Sequence, residues 1–257
     1  MRRFVLPWGK RQMKKTFNQR KVLLFIVEGY TDKQSLEYPI TQLAISSRIV
    51  FQTTSGDITS RDGITRENVR NELYDYVKQN KTKNKFKDSD YYKIVHIIDT
   101  DGAFISDDYL FAAEESTQVF PSLPYYVSEG IYCADVSKIA ARNRQKSELI
   151  EELLQIGTLG RFKIPYEVYF MSTNLEHVLH NNANVPDEHK SILADQALRD
   201  FYCNSNGLPA LLNSLEVFIP GTYSDTWAYI RANTNSLRRC SNLSVFFRQE
   251  KLAGTMK

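Results

Sequence analysis

The chain is expected to fold as an α/β protein with a mainly parallel sheet flanked by helices, and three observations carry that expectation. Two short apolar runs, Val22 to Val27 and Ile94 to Ile98, are rich in β-branched residues and nearly free of polar ones, as strands covered on both faces require. Helical patterns lie between the candidate strands, which suits the crossovers of a parallel sheet. Each run also ends in acids: Glu28-Gly29 after the first, Asp99-Thr100-Asp101-Gly102 after the second. Ligands of open parallel sheets bind outside the carboxyl ends of the strands, so these acids are placed for chemistry.

Taken in order, Thr31 and Gln34 have the spacing of a capping box, which predicts a helix that Pro39 ends or bends. Arg48 to Thr53 reads as a second strand and Ser55-Gly56-Asp57 as a loop. Val69, Leu73 and Val77 recur at helical spacing and predict a helix over 64–77. The window 78–87, with lysines at 78, 81, 83, 85 and 87, reads as a basic connector into the Ile94 strand. Beyond Asp101 the pattern predicts strands near Tyr125 to Cys133 and Tyr166 to Met171, with an amphipathic helix over 147–156 between them. From Thr173 onward the segments are mostly helical: 173–180, 187–203, 208–215 and 224–232. The expected organisation is a basic arm over 1–20, an α/β domain over 21–172 and a mostly helical C-terminal subdomain over 173–257.

With 257 residues, 42% of them hydrophobic, the chain can bury a substantial core. A net charge of +3 and 25% charged residues exclude a disordered polyelectrolyte. Three scattered cysteines, Cys133, Cys203 and Cys240, form neither a zinc ribbon nor a disulfide framework. With no apolar stretch near membrane-spanning length and no signal-peptide pattern, a soluble cytoplasmic protein is expected. Eight basic residues precede the first acid, Glu28, seven of them in the arm, among them Arg11, Lys14 and Lys15. Together with Lys81, Lys83 and Lys85 the arm is a candidate contact for nucleic-acid phosphates.

Asp99 and Asp101 are two residues apart, and in an extended segment such residues face the same side. Glu28 supplies a third carboxylate. Three acids without histidine suit a hard, oxygen-seeking ion, Mg²⁺ or Mn²⁺, rather than zinc. Asp32 and Glu176 are candidate supporting acids, although Thr173 and Glu176 also have capping-box spacing. His177 and His180 lie one helical turn apart, and His96, inside a strand, reads as a core residue.

Strand-Glu-Gly followed some 70 residues later by strand-Asp-x-Asp resembles the TOPRIM domain of topoisomerases, primases, recombination mediators and OLD-type nucleases, over roughly residues 20 to 135. The opening Val27-Glu28-Gly29-Tyr30-Thr31-Asp32 is similar to that of stand-alone TOPRIM nucleases, including OLD-like proteins and the effector of the PARIS anti-phage system. The resemblance implies a Rossmann-like TOPRIM core in which Glu28 acts as general acid/base or metal ligand and Asp99 and Asp101 bind Mg²⁺. It further implies a nuclease acting on RNA or DNA, with a role as toxic effector of an abortive-infection defence. A regulatory ATPase partner then has to be a separate protein, since no Walker-type motif occurs here; a homodimer is a further expected assembly.

Two rival readings remain. Ile98-Asp99-Thr100-Asp101-Gly102 also matches the opening motif of haloacid-dehalogenase-type phosphatases, with Asp99 as nucleophile, but that chemistry needs a later lysine and acidic pair, and Asp107-Asp108 comes too soon to supply the pair. The other rival is a non-catalytic TOPRIM-like binding or assembly module.

Overall fold

A computed structural model describes residues 21–43, 48–54, 57–114, 120, 122–161, 163–204 and 206–250. The basic arm with Arg11, Lys14 and Lys15, and the Ser55-Gly56 part of the expected loop, lie outside the described residues. A five-stranded sheet forms the centre, built from β1 (Val22–Val27), β2 (Arg48–Thr53), β3 (Tyr91–Asp99), β7 (Thr158–Leu159) and β8 (Ile164–Met171). Its order is β2-β1-β3-β8-β7, parallel except for the short β7, which runs antiparallel to β8. A second sheet, β4 (Leu110–Ala112), β5 (Tyr125–Val127) and β6 (Gly130–Cys133), has the order β4-β6-β5.

The apolar runs form strands because both faces find partners. Along β1 the side chains alternate between two cores. Val22, Leu24 and Ile26 pack with α2 (Val69–Asn84) and α3 (Val136–Leu154), whereas Leu23, Phe25 and Val27 pack with α1 (Tyr30–Leu43) and the later helices. Ile94 and Ile98 of β3 join the first core, and Val95 and Ile97 the second. Phe25 lies at the centre of the second core, stacked on Phe51 at 5.1 Å and edge-on to Phe246 at 5.5 Å. Each such buried side chain contributes about 1.5–3 kcal/mol by transfer from water alone.

The helices after β8 are α4 (Leu175–His180), α5 (Asp187–Cys203), α6 (Gly207–Leu212), α7 (Tyr223–Ile230) and α8 (Leu243–Gln249). All but α7 supply Leu175, Phe201, Leu208, Leu212, Phe246 and Phe247 to the core that covers β1, β3 and β8, and Trp227 of α7 enters the opposite core. Residues 173–249 therefore complete the layers around the sheet. No helix of the described residues is long and apolar enough to cross a membrane.

Several local readings change. Helix α2 starts at Val69 rather than 64 and runs on to Asn84, so most of the lysine-rich connector is its last turns; Lys85, left-handed at φ 56°, ends it. Pro39 does not end α1, which continues to Leu43. The first turn of α1 is closed by Asp32, whose carboxylate accepts from the Gly29 N–H at 2.8 Å, while Gln34 donates to Asp195 on α5. Helix α3 begins at Val136, eleven residues before the expected start, after the N-cap Asp135, whose side chain accepts from Lys138 N–H.

Behind β3 the chain turns at two left-handed residues, Asp101 (φ 46°) and Gly102 (φ 69°). A Cβ on Gly102 would lie 2.7 Å from Leu237 Cδ2 and 2.9 Å from Ile131 Cδ1. Gly102→Ala is therefore expected to destabilise by about 2 kcal/mol, from left-handed strain plus overpacking, measurable as a lowered midpoint in urea with an unchanged m-value.

Candidate active site

Connections leave β1 in opposite directions across the sheet. Helix α1 leads to β2 on one side, and α2 leads from β2 back over β1 to β3 on the other. The carboxyl ends of β1 and β3 thus flank the switch point of the sheet, where open α/β folds have their ligand crevice. Glu28 follows β1 directly and Asp99 ends β3. The Asp99 N–H donates to Glu28 Oε1 at 3.1 Å, tying the two strand ends together. Glu28, Asp32 and Asp99 line one small cavity with Leu36, Met171 and Leu175.

Beyond Asp99 the loop is held to the loop after β8. The Thr100 N–H donates to Met171 O at 3.1 Å, Asp101 N–H to Thr173 O at 2.8 Å, and Thr173 N–H to Thr100 Oγ1 at 2.9 Å. The left-handed turn at Asp101 carries its carboxylate away from an extended Asp-x-Asp arrangement. It meets Lys146 of α3 instead: Nζ lies 2.5 Å from Asp101 Oδ2 and 2.6 Å from Asp57 Oδ2. Lys146 is wholly buried. Arg142, one turn earlier on α3, donates to the Asp101 carbonyl at 2.9 Å and to the Tyr126 hydroxyl at 3.0 Å. Asp57 also accepts from the Thr59 and Ser60 hydroxyls, both at 2.5 Å.

Glu176 lies on α4, the helix that follows the third adjacent strand, β8. The expected Thr173–Glu176 capping box does not form: Thr173 is left-handed at φ 57°, and Asn174 caps α4 by accepting from His177 N–H at 2.8 Å. Glu176 is 7% exposed and faces Asp99 electrostatically. Lys190 of α5, ion-paired with Asp187 at 3.0 Å, influences the same group of acids. A cleft of about 580 Å³ opens beside Asp101, lined by Tyr126, Asn174, Asn184 and Lys190 among others.

The acids fall into two electrostatic groups. Burial pushes Glu28 and Asp99 well above the usual carboxylate range. The neighbouring carboxylates raise both further, Asp57 foremost for Glu28 and Glu28 for Asp99. Burial also raises Asp32 and Glu176. Burial would raise Asp57 too, but the Lys146 ammonium with Ser60 and Thr59 holds it far below the usual range. Lys146 itself is raised well above an ordinary lysine against its burial, by Asp101, Asp57 and Glu28. One group is thus neutralised from within, and the other holds more acid than cation.

That imbalance predicts a pH dependence. Carboxyls with raised values bind protons more tightly folded than unfolded, so their stabilising contribution is full below about pH 4 and is lost as pH rises through the folded values. His96 is buried at 0% exposure, with Nδ1 2.8 Å from the Tyr166 hydroxyl, and burial lowers it to about 4. It opposes the trend only below about pH 6.5. In chelator, the melting temperature of the wild type is expected to decline relative to that of Glu28→Gln as pH rises from about 4, and parallel profiles would contradict the charge imbalance.

The lysines do not join this site. Lys81, Lys83 and Lys85 lie at the end of α2, beside the amino end of β3. The nine residues of β3 put them roughly 25–30 Å from Asp99. Lys81 is moreover ion-paired with Asp88. His177 Nδ1 lies 3.1 Å from Thr173 Oγ1, which accounts for one of the two paired histidines. Sequence reasoning passed over Asp57, Arg142 and Lys146. Only Lys146 leaves a signal: it continues the buried stripe Leu149, Ile150, Leu153 of α3 one turn toward the N-terminus, as a charge at a core-facing position.

No family model, curated protein or solved structure matches the chain. The site has to be judged on its own chemistry. Among the described residues, no three His, Cys, Asp or Glu side chains stand close enough to grip one ion. The donor chemistry nonetheless fits a hard divalent cation: Glu28, Asp32 and Asp99, which line one cavity, and Glu176 offer oxygen only, with raised proton affinities that a cation would relieve. Gathering them on one ion would require these side chains to rotate.

Proposed function

We propose that the chain is a TOPRIM-like, Mg²⁺- or Mn²⁺-dependent nuclease that hydrolyses phosphodiester bonds of RNA or DNA. The observation that carries this reading is the hydrogen-bonded junction of Glu28 and Asp99 at the carboxyl ends of two adjacent parallel strands, at the sheet's switch point, with Asp32 lining the same cavity. Glu28 and Asp99 would hold the metal, with Asp32 and Glu176 in support; Asp101, expected as a third ligand, is instead engaged by Lys146. The ion would supply charge neutralisation at a phosphate oxygen and lower the pKa of a bound water.

The protein's own groups do the rest. The Asp99 N–H fixes one oxygen of Glu28, leaving the other to hold or accept a proton. The raised proton affinity of Glu28 suits that role better than an ordinary carboxylate would. Lys146 and Arg142 orient Asp101 through its carboxylate and its carbonyl. Lys190, on the wall of the cleft, is a candidate phosphate contact. An anti-phage effector role, an ATPase regulator and a homodimer belong to the same reading and rest on the resemblance alone. The basic arm remains the candidate nucleic-acid contact, since Lys81, Lys83 and Lys85 lie at the other end of the sheet.

The phosphatase reading wants a later lysine beside Asp99, but Lys146 is bonded to Asp101 and Asp57. Incubating the protein with single- and double-stranded RNA and DNA and with a phosphomonoester, with Mg²⁺ or chelator, tests the proposal. Metal-dependent cleavage of a polymer is expected. Hydrolysis of the monoester alone would favour the phosphatase, and binding without cleavage the non-catalytic module.

A further inference from the structure

The acids divide unevenly between cations. Asp57 and Asp101 are matched by Lys146 and backed by Arg142 on successive turns of one helix. Glu28, Asp32, Asp99 and Glu176 have Lys190, which already pairs with Asp187, and the more remote influence of Lys146. The ammonium of Lys146 bridges two carboxylates from different loops, the arrangement a second metal ion would make in a two-metal phosphodiesterase site. Asn143, Leu149 and Ile150 are buried on the same face of α3. The lysine therefore has no room to swing out, and removing its charge would leave two largely buried carboxylates unpaired.

We infer that Lys146 is a built-in substitute for a second metal ion, so that the site takes up one exchangeable divalent cation, on the side of Glu28 and Asp99. This rests on the metal-dependent reading proposed above. Lys146 is a positioning residue in this scheme. Two of its three N–H donors are committed to Asp57 and Asp101. Unlike a metal ion, it offers no open coordination position and no acidified water. Activation of the attacking water and neutralisation of the phosphate both fall to the single ion and to Glu28.

Counting ions tests this without reference to activity. The whole protein is titrated with Mn²⁺ alone, free Mn²⁺ is followed by its EPR signal, and the saturated sample is examined for the split spectrum of a coupled Mn²⁺ pair. One ion per chain and no coupled spectrum are expected. Two ions, or a coupled spectrum, overturn the inference while leaving the metal-dependent reading intact; no binding overturns both. In Lys146→Met the count is expected to double to two, whereas Lys146→Arg keeps it at one. A folded Lys146→Met that still binds one ion would defeat the substitution idea. Should Lys146→Met not fold, the wild-type count and spectrum decide alone.

Discussion

Asp99→Asn is expected to reduce Mg²⁺-dependent cleavage by about 10²- to 10³-fold, the scale for removing one well-placed electrostatic group from an active site. The same substitution is expected to make the metal-free protein more stable at pH 7.5. Asparagine keeps the shape of the side chain and the backbone N–H that holds Glu28. It removes a carboxylate whose charged form is disfavoured by burial and by the neighbouring Glu28, Asp32, Asp101 and Glu176. A gain of about 1 kcal/mol corresponds to a rise of roughly 2–4 °C in melting temperature for a protein of this size. A structural acid behaves in the opposite way, losing stability on replacement and leaving turnover alone. Cleavage rates and thermal unfolding in chelator, run on the same samples, separate the two: full activity with a lowered melting temperature would remove Asp99 from the site.

Lys146→Met is expected to cost about 3–5 kcal/mol, the penalty for breaking a buried ion pair from one side. With 2–4 °C lost per kcal/mol, the melting temperature falls by roughly 10 °C. Methionine fills much of the lysine's volume, so the loss reports charge more than packing. Asp57 is left without the ammonium that depresses its pKa, and Asp101 without its 2.5 Å partner. Replacing Asp57 by Asn in the Lys146→Met background is expected to recover part of the loss, because it removes one of the two orphaned charges. Two independent, additive losses would mean that the residues are not coupled.

The sheet was legible in the sequence because β1 and β3 send alternate side chains into two different cores, which demands apolar residues at every position. Glu28 and Asp99 were legible for the same reason, as abrupt acids at the ends of those runs. The geometry of Asp101 was not, because spacing cannot reveal a left-handed residue. Asp32 and Glu176 exchanged expectations with their neighbours: Asp32 closes the first turn of α1, and Asn174 rather than Thr173 caps α4, which leaves Glu176 to face Asp99. Capping motifs overlap in runs of Ser, Thr, Asn and Asp, so which residue caps depends on tertiary contacts. Asp57 has no local signature, since its meaning comes from a lysine 89 residues later. The helix expected over 147–156 began one residue too late to bring Lys146 into view.

The hydrogen bonds joining the loop after β3 to the loop after β8, and that loop in turn to Ser236 and Cys240, carry a consequence for synthesis. A chain emerging from the ribosome presents Glu28 and Asp99 well before Lys146, Glu176 or the segment that clasps Thr173. Until some 240 residues are out, the loop after β8, to which the Asp101 turn is bonded, lacks its own bonds to Ser236 and Cys240. The group formed by Glu28, Asp99 and the loop after β8 is thus assembled only with completion of the fold.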